Sequence, residues 1–162
     1  MHSRTRVLDL FAGLEGWSEP WREAGHDVFS VDIDEEFDVD LHANIMDLYP
    51  SDLPWKPDVV LASPPCEAFS VLTIGKNWTK PTDDPPNAPK TEQAHNAEEL
   101  VFETLRLIRW LDPAVWVMEN PRAKLRVLPV MEGIPRCTVW YCRYGMPYAK
   151  PTDLWPIEEM AA

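Results

Sequence analysis

The stretch Val59-Val60-Leu61-Ala62-Ser63-Pro64-Pro65-Cys66 decides the fold class. Four apolar residues in succession read as a strand buried on both faces, the habit of parallel sheets covered by helices. Proline has no backbone N–H to continue a ladder, so the strand stops at Pro64-Pro65 and Cys66 falls at its carboxyl end. Two other runs end in the same manner. Arg6-Val7-Leu8-Asp9-Leu10 leads into Phe11-Ala12-Gly13-Leu14-Glu15-Gly16, and Val115-Trp116-Val117-Met118 leads into Glu119-Asn120-Pro121. A glycine-rich turn, a thiol and a carboxylate thus close three strands, at the edge where open α/β sheets bind ligands.

Outward from these runs the pattern alternates. Residues 6–11 form the first expected strand, and a helix from about Trp17 to Ala24 stops at Gly25. Val28–Val31 is a second strand ending in Asp32-Ile33-Asp34, and a short strand is expected near Asn44-Ile45. Residues 67–91 hold Pro, Thr, Asn and Lys without apolar periodicity, which predicts a long surface loop, disordered until it closes on a substrate. Leu100, Leu105, Leu107, Ile108 and Leu111 give helical spacing over 92–111. A short helix is expected at 123–131, and Thr138–Cys142 with Asp153-Leu154-Trp155 reads as a closing hairpin. Strands alternating with helices predict a mainly parallel α/β sheet with an antiparallel hairpin at its C-terminal end.

The chain has 162 residues, enough for one domain with a core of its own, and the 17 prolines are spread through loops instead of marking a linker. No apolar run is long enough to span a membrane. The N-terminus runs straight into a strand without a signal-peptide core. Cys66, Cys137 and Cys142 form no metal pattern, and a cytoplasmic setting with reduced thiols is expected. Cys137 and Cys142 read as core or strand residues, as do Trp110 and Trp116 as core. A net charge of -12 argues against a generally adhesive nucleic-acid binder. The charge is uneven, however: residues 121–150 carry six basic side chains, Arg122, Lys124, Arg126, Arg136, Arg143 and Lys150, against the single acid Glu132. Such a segment suits phosphates while the acidic flank faces water.

Glycines after a first strand allow close approach of a ligand, and an acid ending the second strand, Asp32, suits ribose hydroxyls. Glu15 would repel a pyrophosphate, so a nucleoside without phosphates, such as S-adenosylmethionine, fits better. Taken singly, a cysteine is more often an inert buried side chain and a glutamate a capping or salt-bridged one, and such a turn is at least as often a plain strand–helix connection. Cys66 gains meaning from its place at a strand end before Glu67-Ala68-Phe69-Ser70, since thiolate chemistry needs a partly open site. Glu119 at the end of a central strand is costly unless paired or used.

Together, in this order, the three elements resemble the cytosine-5 DNA methyltransferase family. The resemblance rests on Asp9–Gly16, on Pro65-Cys66-Glu67-Ala68-Phe69-Ser70, on Glu119-Asn120 and on Tyr144-Gly145-Met146-Pro147. It runs from about Val7 to Trp155 and is strongest to short phage and prophage versions, which implies genome modification or protection from restriction. It implies a Rossmann-like fold and S-adenosylmethionine as cofactor. Phe11, Ala12, Gly13, Leu14, Gly16 and Trp17 would line that cofactor and Asp32 would hold its ribose. Ile33 would lie against adenine, Asn44 or Asp47 would meet its amine, and Pro65 and Leu100 would complete the wall. Cys66 would add to cytosine C6, Glu119 would protonate or hydrogen-bond N3, and Asn120 would orient Pro65 and the cysteine loop. The implied partner is double-stranded DNA with the target cytosine flipped out.

The sequence departs from the family at Glu15, Glu67 and Pro121, and its arginine-rich motif is reduced to Tyr148-Ala149-Lys150-Pro151-Thr152. Lys150, Thr152, Arg122, Arg143 and Ser70 are the expected substrate contacts there. Lys76, Trp78 and Lys80 in the 67–91 loop form a basic and aromatic mixture suited to phosphate contact and to stacking or wedging. No target-recognition domain is visible in the single catalytic domain, which predicts a very short target, oligomerisation or a partner protein. Two other readings stay open: an RNA cytosine-5 methyltransferase, and a non-catalytic homologue that binds S-adenosylmethionine or DNA.

Overall fold

The computed structural model describes residues 4–158. Its strands are β1 (Arg6–Leu10), β2 (Asp27–Asp32), β3 (Leu41–His42), β4 (Val59–Ala62), β5 (Val115–Pro121), β6 (Cys137–Trp140) and β7 (Pro151–Glu158). The helices are α1 (Glu19–Glu23), α2 (Ile74–Asn77) and α3 (Glu92–Leu111). The strands hydrogen-bond in the order β3-β2-β1-β4-β5-β7-β6. β1 pairs in parallel with both β2 and β4, β2 with β3 and β4 with β5, whereas β6 and β7 are antiparallel, as the sequence predicts. No helix among the described residues is long and apolar enough to cross a membrane.

The chain divides into two compact units. The first holds the described residues up to Ser63 together with Glu103–Met118; the second holds Pro64–Phe102 and Glu119–Pro156. In the first unit Val7, Val59 and Leu61 form a core against which Trp17, Trp21, Val28, Val115 and Val117 pack. All four residues of β4 are buried, which accounts for its unbroken apolar run. In the second unit Phe69 stacks on Trp78 with ring centroids 5.7 Å apart, and Trp155, Leu125 and Leu128 are buried. The β6–β7 hairpin is pinned to the turn Lys124–Val127 by Arg126, which donates two 2.9 Å hydrogen bonds to the buried carboxylate of Asp153. Asp153 also accepts from the Thr138 hydroxyl at 2.6 Å.

Several local expectations are corrected. The first helix is only Glu19–Glu23, because Pro20 can sit only in a first turn. The short strand lies at Leu41–His42, and Asn44 instead caps the 3-10 turn Ile45–Asp47 by accepting from the Met46 N–H at 3.1 Å. The helix expected at 123–131 is two 3-10 turns, Lys124–Val127 and Pro129–Met131, separated where Pro129 removes a donor. The strand expected over Thr138–Cys142 ends at Trp140 and gives way to the 3-10 turn Tyr141–Tyr144. Trp110 is half exposed, with an edge-on contact to Tyr49; Cys137 lies in β6, as a strand residue, but is exposed, and Cys142 is exposed in the 3-10 turn. Residues 67–91 are not a loose loop. They wrap α2, and Asn77 and Trp78 are buried, their N–H groups donating to the Ala68 carbonyl at 3.3 and 2.8 Å.

Candidate active site

In the first unit, β1 delivers its chain into a turn with unusual backbone angles. Phe11, Gly13 and Glu15 all have positive φ, at 62°, 51° and 56°. Left-handed conformations at non-glycine residues cost about 1–2 kcal/mol each and gather at functional sites. The turn is fixed from β2: the Ala12 N–H donates to the Val31 carbonyl at 3.1 Å, and the Gly13 N–H to Asp32 Oδ2 at 2.9 Å. Asp32 Oδ1 accepts from the Asp34 N–H at 3.0 Å. Each carboxylate oxygen retains a second acceptor direction. Glu15 is turned to Arg22, 2.7 Å away, which also holds Asp40 at 2.9 Å. Leu14 and Ile33 are 88% and 65% exposed, an arrangement that leaves apolar surface for a bound group to cover. Asp47 is exposed, and Asn44 spends its side-chain carbonyl on its own turn.

Behind this turn lies Asp9, which sequence reasoning left without a role. It is buried, burial pushes its carboxyl up to about 6, and Ser18 beside it pulls the other way. Its Oδ2 has no hydrogen-bond partner among the described residues.

In the second unit, the thiol and the acid lie within electrostatic reach of each other and of Lys150. Asn120 is fully buried and donates from Nδ2 to the Pro64 carbonyl at 2.9 Å, which ties the end of β5 to the Pro64-Pro65-Cys66 segment. The bond falls on Pro64, one residue before the expected Pro65. Cys66 is half-buried. Burial pushes its thiol above the usual range, Glu67 and Glu119 add to the rise, and Lys150 opposes it. Glu119 is buried, and its carboxyl too is raised by burial, against the pull of Lys150 and of the Tyr141 hydroxyl. Lys150 Nζ lies 3.9 Å and the Tyr141 hydroxyl 3.5 Å from Glu119 Oε1. Tyr141 was not anticipated. The hairpin register that sets Trp140 opposite Pro151 would have placed it, since Tyr141 then follows beside Lys150.

Pro65 and Leu100 are brought together with Glu67, Ala68, Gln93, Asn96 and Ala97 around a cavity of about 270 Å³. Ser70 is half-buried, its hydroxyl accepting from the Leu72 N–H at 3.3 Å. Arg122, Arg143, Lys76 and Lys80 are exposed. Two expected substrate contacts are not on the surface. Thr152 is fully buried inside the hairpin, and Trp78 is 2% exposed, with Lys124 Nζ 5.6 Å from its ring centroid. The bulk that makes Trp78 attractive as a wedge also makes it the natural core of the segment it closes.

Solved structures share this fold. The chain superposes on a DNA modification methyltransferase encoded within an E. coli prophage with a TM-score of 0.66 at 19% identity, covering 96% of this chain and 47% of that one. It superposes on the Dnmt2 methyltransferase of S. pombe with a TM-score of 0.61 at 14% identity, covering 99% and 51%. The fold is therefore that of the methyltransferases. The sequence profile of the C-5 cytosine-specific DNA methylases matches residues 5–125. A probable DNA (cytosine-5)-methyltransferase of Frog virus 3 is 32% identical over 93% of this chain and 69% of its own length. The type II methyltransferase M1.HphI of Haemophilus parahaemolyticus is 31% identical over 70% of this chain, which spans 31% of that protein. This chain belongs to the C-5 cytosine-specific DNA methylase family.

Proposed function

We propose that this chain methylates C5 of cytosine in DNA, with S-adenosylmethionine as methyl donor. The observation that carries the reading is that Cys66 and Glu119, at the ends of two strands, lie within electrostatic reach of each other and of Lys150.

S-adenosylmethionine supplies an electrophilic methyl group. The residues present suit it: a strained turn from Phe11 to Gly16 with Trp17 behind it, the exposed apolar Leu14 and Ile33, and a carboxylate with spare acceptor directions at Asp32. Asp32 holds the ribose, Ile33 lies against the adenine and Asn44 or Asp47 meets its amine.

C5 of cytosine is a poor nucleophile. The Cys66 thiolate forms a bond to C6, and the ring electrons move toward N3, where the raised Glu119 carboxyl has a proton to give. C5 thereby gains the electron pair that takes up the methyl group. Loss of the C5 proton to solvent then breaks the bond to Cys66 and restores the aromatic ring. Asn120 holds the cysteine segment through Pro64, and Lys150 favours the thiolate. The target base stands outside the stack to meet both groups.

The test is nucleoside mass spectrometry of DNA incubated with the purified chain and S-adenosylmethionine, with Cys66→Ser alongside. 5-Methylcytosine from the wild type alone is expected. Modified cytosine from both proteins, or from neither under conditions where the cofactor binds, contradicts the reading. Methylation of transfer RNA but not of DNA moves the substrate to RNA.

A further inference from the structure

Of the basic and aromatic surface that the sequence places in residues 67–91, Lys76 and Lys80 are exposed but the ring is not. Trp78 is internal, while the tip of the β6–β7 hairpin carries Trp140, Tyr144 and Tyr148 exposed, the last two at 74% and 49%. Met146 is exposed beside them. The tip is ordered by its own backbone. The Tyr141 N–H donates to the Lys150 carbonyl and the Met146 N–H to the Tyr141 carbonyl, both at 3.3 Å, and Gly145 turns the chain with φ 90°. It is also rooted at the candidate acid, since Lys150 lies 3.9 Å from Glu119 and 5.1 Å from the Tyr141 ring centroid.

The charge on this tip is one-sided. Arg136, Arg143 and Lys150 stand in a segment, 136–150, that contains no acid, in a chain of net charge -12. Arg122 adjoins it, because its N–H donates to the Pro151 carbonyl at 2.9 Å. Three exposed rings stand beside four cations, two of which, Arg136 and Lys150, already face the carboxylates of Asp153 and Glu119. A duplex offers a dense array of phosphates and hides its base faces, whereas an unpaired strand offers the faces. A surface rich in rings and sparing in cations, on an acidic protein, suits the second.

We propose that the hairpin tip from Trp140 to Lys150 is a stacking platform for an unpaired DNA strand, which holds the nucleotides flanking the target cytosine. The inference rests on the methyltransferase reading for what lies next to Glu119, and on exposure and charge for the platform itself.

Fluorescence anisotropy with the full chain tests it, using one cytosine-containing oligonucleotide as a single strand, as an intact duplex, as a duplex with a bubble at the cytosine, and as its RNA equivalent. The single strand and the bubble are expected to bind at least ten-fold more tightly than the duplex. About three phosphate contacts by Arg122, Arg143 and Lys150 give a shallow salt dependence, with a slope of about -2 on a log–log plot. Tyr144→Ala with Tyr148→Ala lowers single-strand affinity by about ten-fold or more and leaves the duplex within about two-fold, since each stacked ring contributes about five- to hundred-fold. Replacing both by Phe restores affinity; replacing both by Leu does not. Equal affinity for duplex and single strand, no loss in the double Ala variant, or tighter binding of RNA overturns the proposal. Binding and methylation separate the two readings. Methylation by a double Ala variant that binds normally removes the platform and keeps the enzyme, whereas platform-dependent binding without methylation removes the enzyme and keeps the platform.

Discussion

The turn after β1 and the pocket around Cys66 both form where a strand stops, yet they are held in opposite ways. In the turn, Asp32 is occupied by backbone N–H groups, Glu15 is paired with Arg22, and the large apolar side chains of Leu14 and Ile33 are left outward. Around Cys66, burial moves both the thiol and the Glu119 carboxyl off their usual ranges, with Lys150 opposing at both and the Tyr141 hydroxyl at Glu119. A surface that binds needs groups already satisfied and available; a centre that reacts needs groups whose charge state is costly and therefore responsive. On the proposed reading, the first region is the holder and the second the reacting centre.

The strongest way to break this contrast is Glu119→Gln. The amide keeps the shape and loses the proton, so turnover falls by about 10²–10⁴-fold with cofactor affinity unchanged. Steady-state rates beside calorimetric titration of the cofactor check it, and a fall confined to cofactor affinity would make Glu119 part of the holder.

Asp9 sharpens the contrast from the other side, as a buried acid in the holding region. Its carboxyl ionises at about 6 in the folded chain, above the usual range for Asp, so its contribution to stability is fully present in acid and is lost as pH rises through 6. The difference corresponds to about 3 kcal/mol at most. Asp9→Asn removes the penalty, and urea unfolding at pH 8 is expected to show a more stable protein than the wild type, with the gap closing toward pH 4. A less stable variant at pH 8 would mean that the ionised carboxylate is used.

Asp32→Ala is expected to weaken S-adenosylmethionine binding by about ten-fold, through loss of the ribose acceptor and of the Gly13 anchor, and to leave the pH profile of the bound complex in place. Unaltered affinity would remove Asp32 from the cofactor site. The smallest effect is expected at Lys150. On the proposed mechanism, rate is expected to rise with pH as the Cys66 thiol ionises and to fall as Glu119 loses its proton. Lys150 lowers both ionisations, so Lys150→Met moves both limbs of the profile to higher pH. Limbs that stay in place would place Lys150 outside the pocket's electrostatics.

Much of the strand-and-helix framework was legible because its signals are local. Pro64-Pro65 can only end a strand, an unbroken Val59–Ala62 can only be buried, and the Leu100-to-Leu111 spacing marks α3 to the residue. What was not legible depended on contacts distant in sequence. Nothing around Trp78 announces Phe69 as its partner or the Ala68 carbonyl as the acceptor for its indole N–H, so its polar neighbours read as surface. Thr152 looked available in a reduced basic motif, but in β7 it is fully buried, as is its neighbour Asp153. Tyr141 and Asp9 matter through what surrounds them, Glu119 and Lys150 in one case and a dry interior in the other, and a linear reading does not place those neighbours.

The central claim is the bond between Cys66 and cytosine C6. An oligonucleotide with 5-fluorocytosine in place of cytosine tests it directly, because fluorine at C5 cannot leave as the proton does and the adduct persists. Incubation with S-adenosylmethionine followed by intact-mass and peptide mass spectrometry is expected to find DNA joined to the peptide containing Cys66, with one methyl group added. Absence of an adduct, or an adduct at Cys137 or Cys142, from a preparation that methylates ordinary cytosine would contradict it.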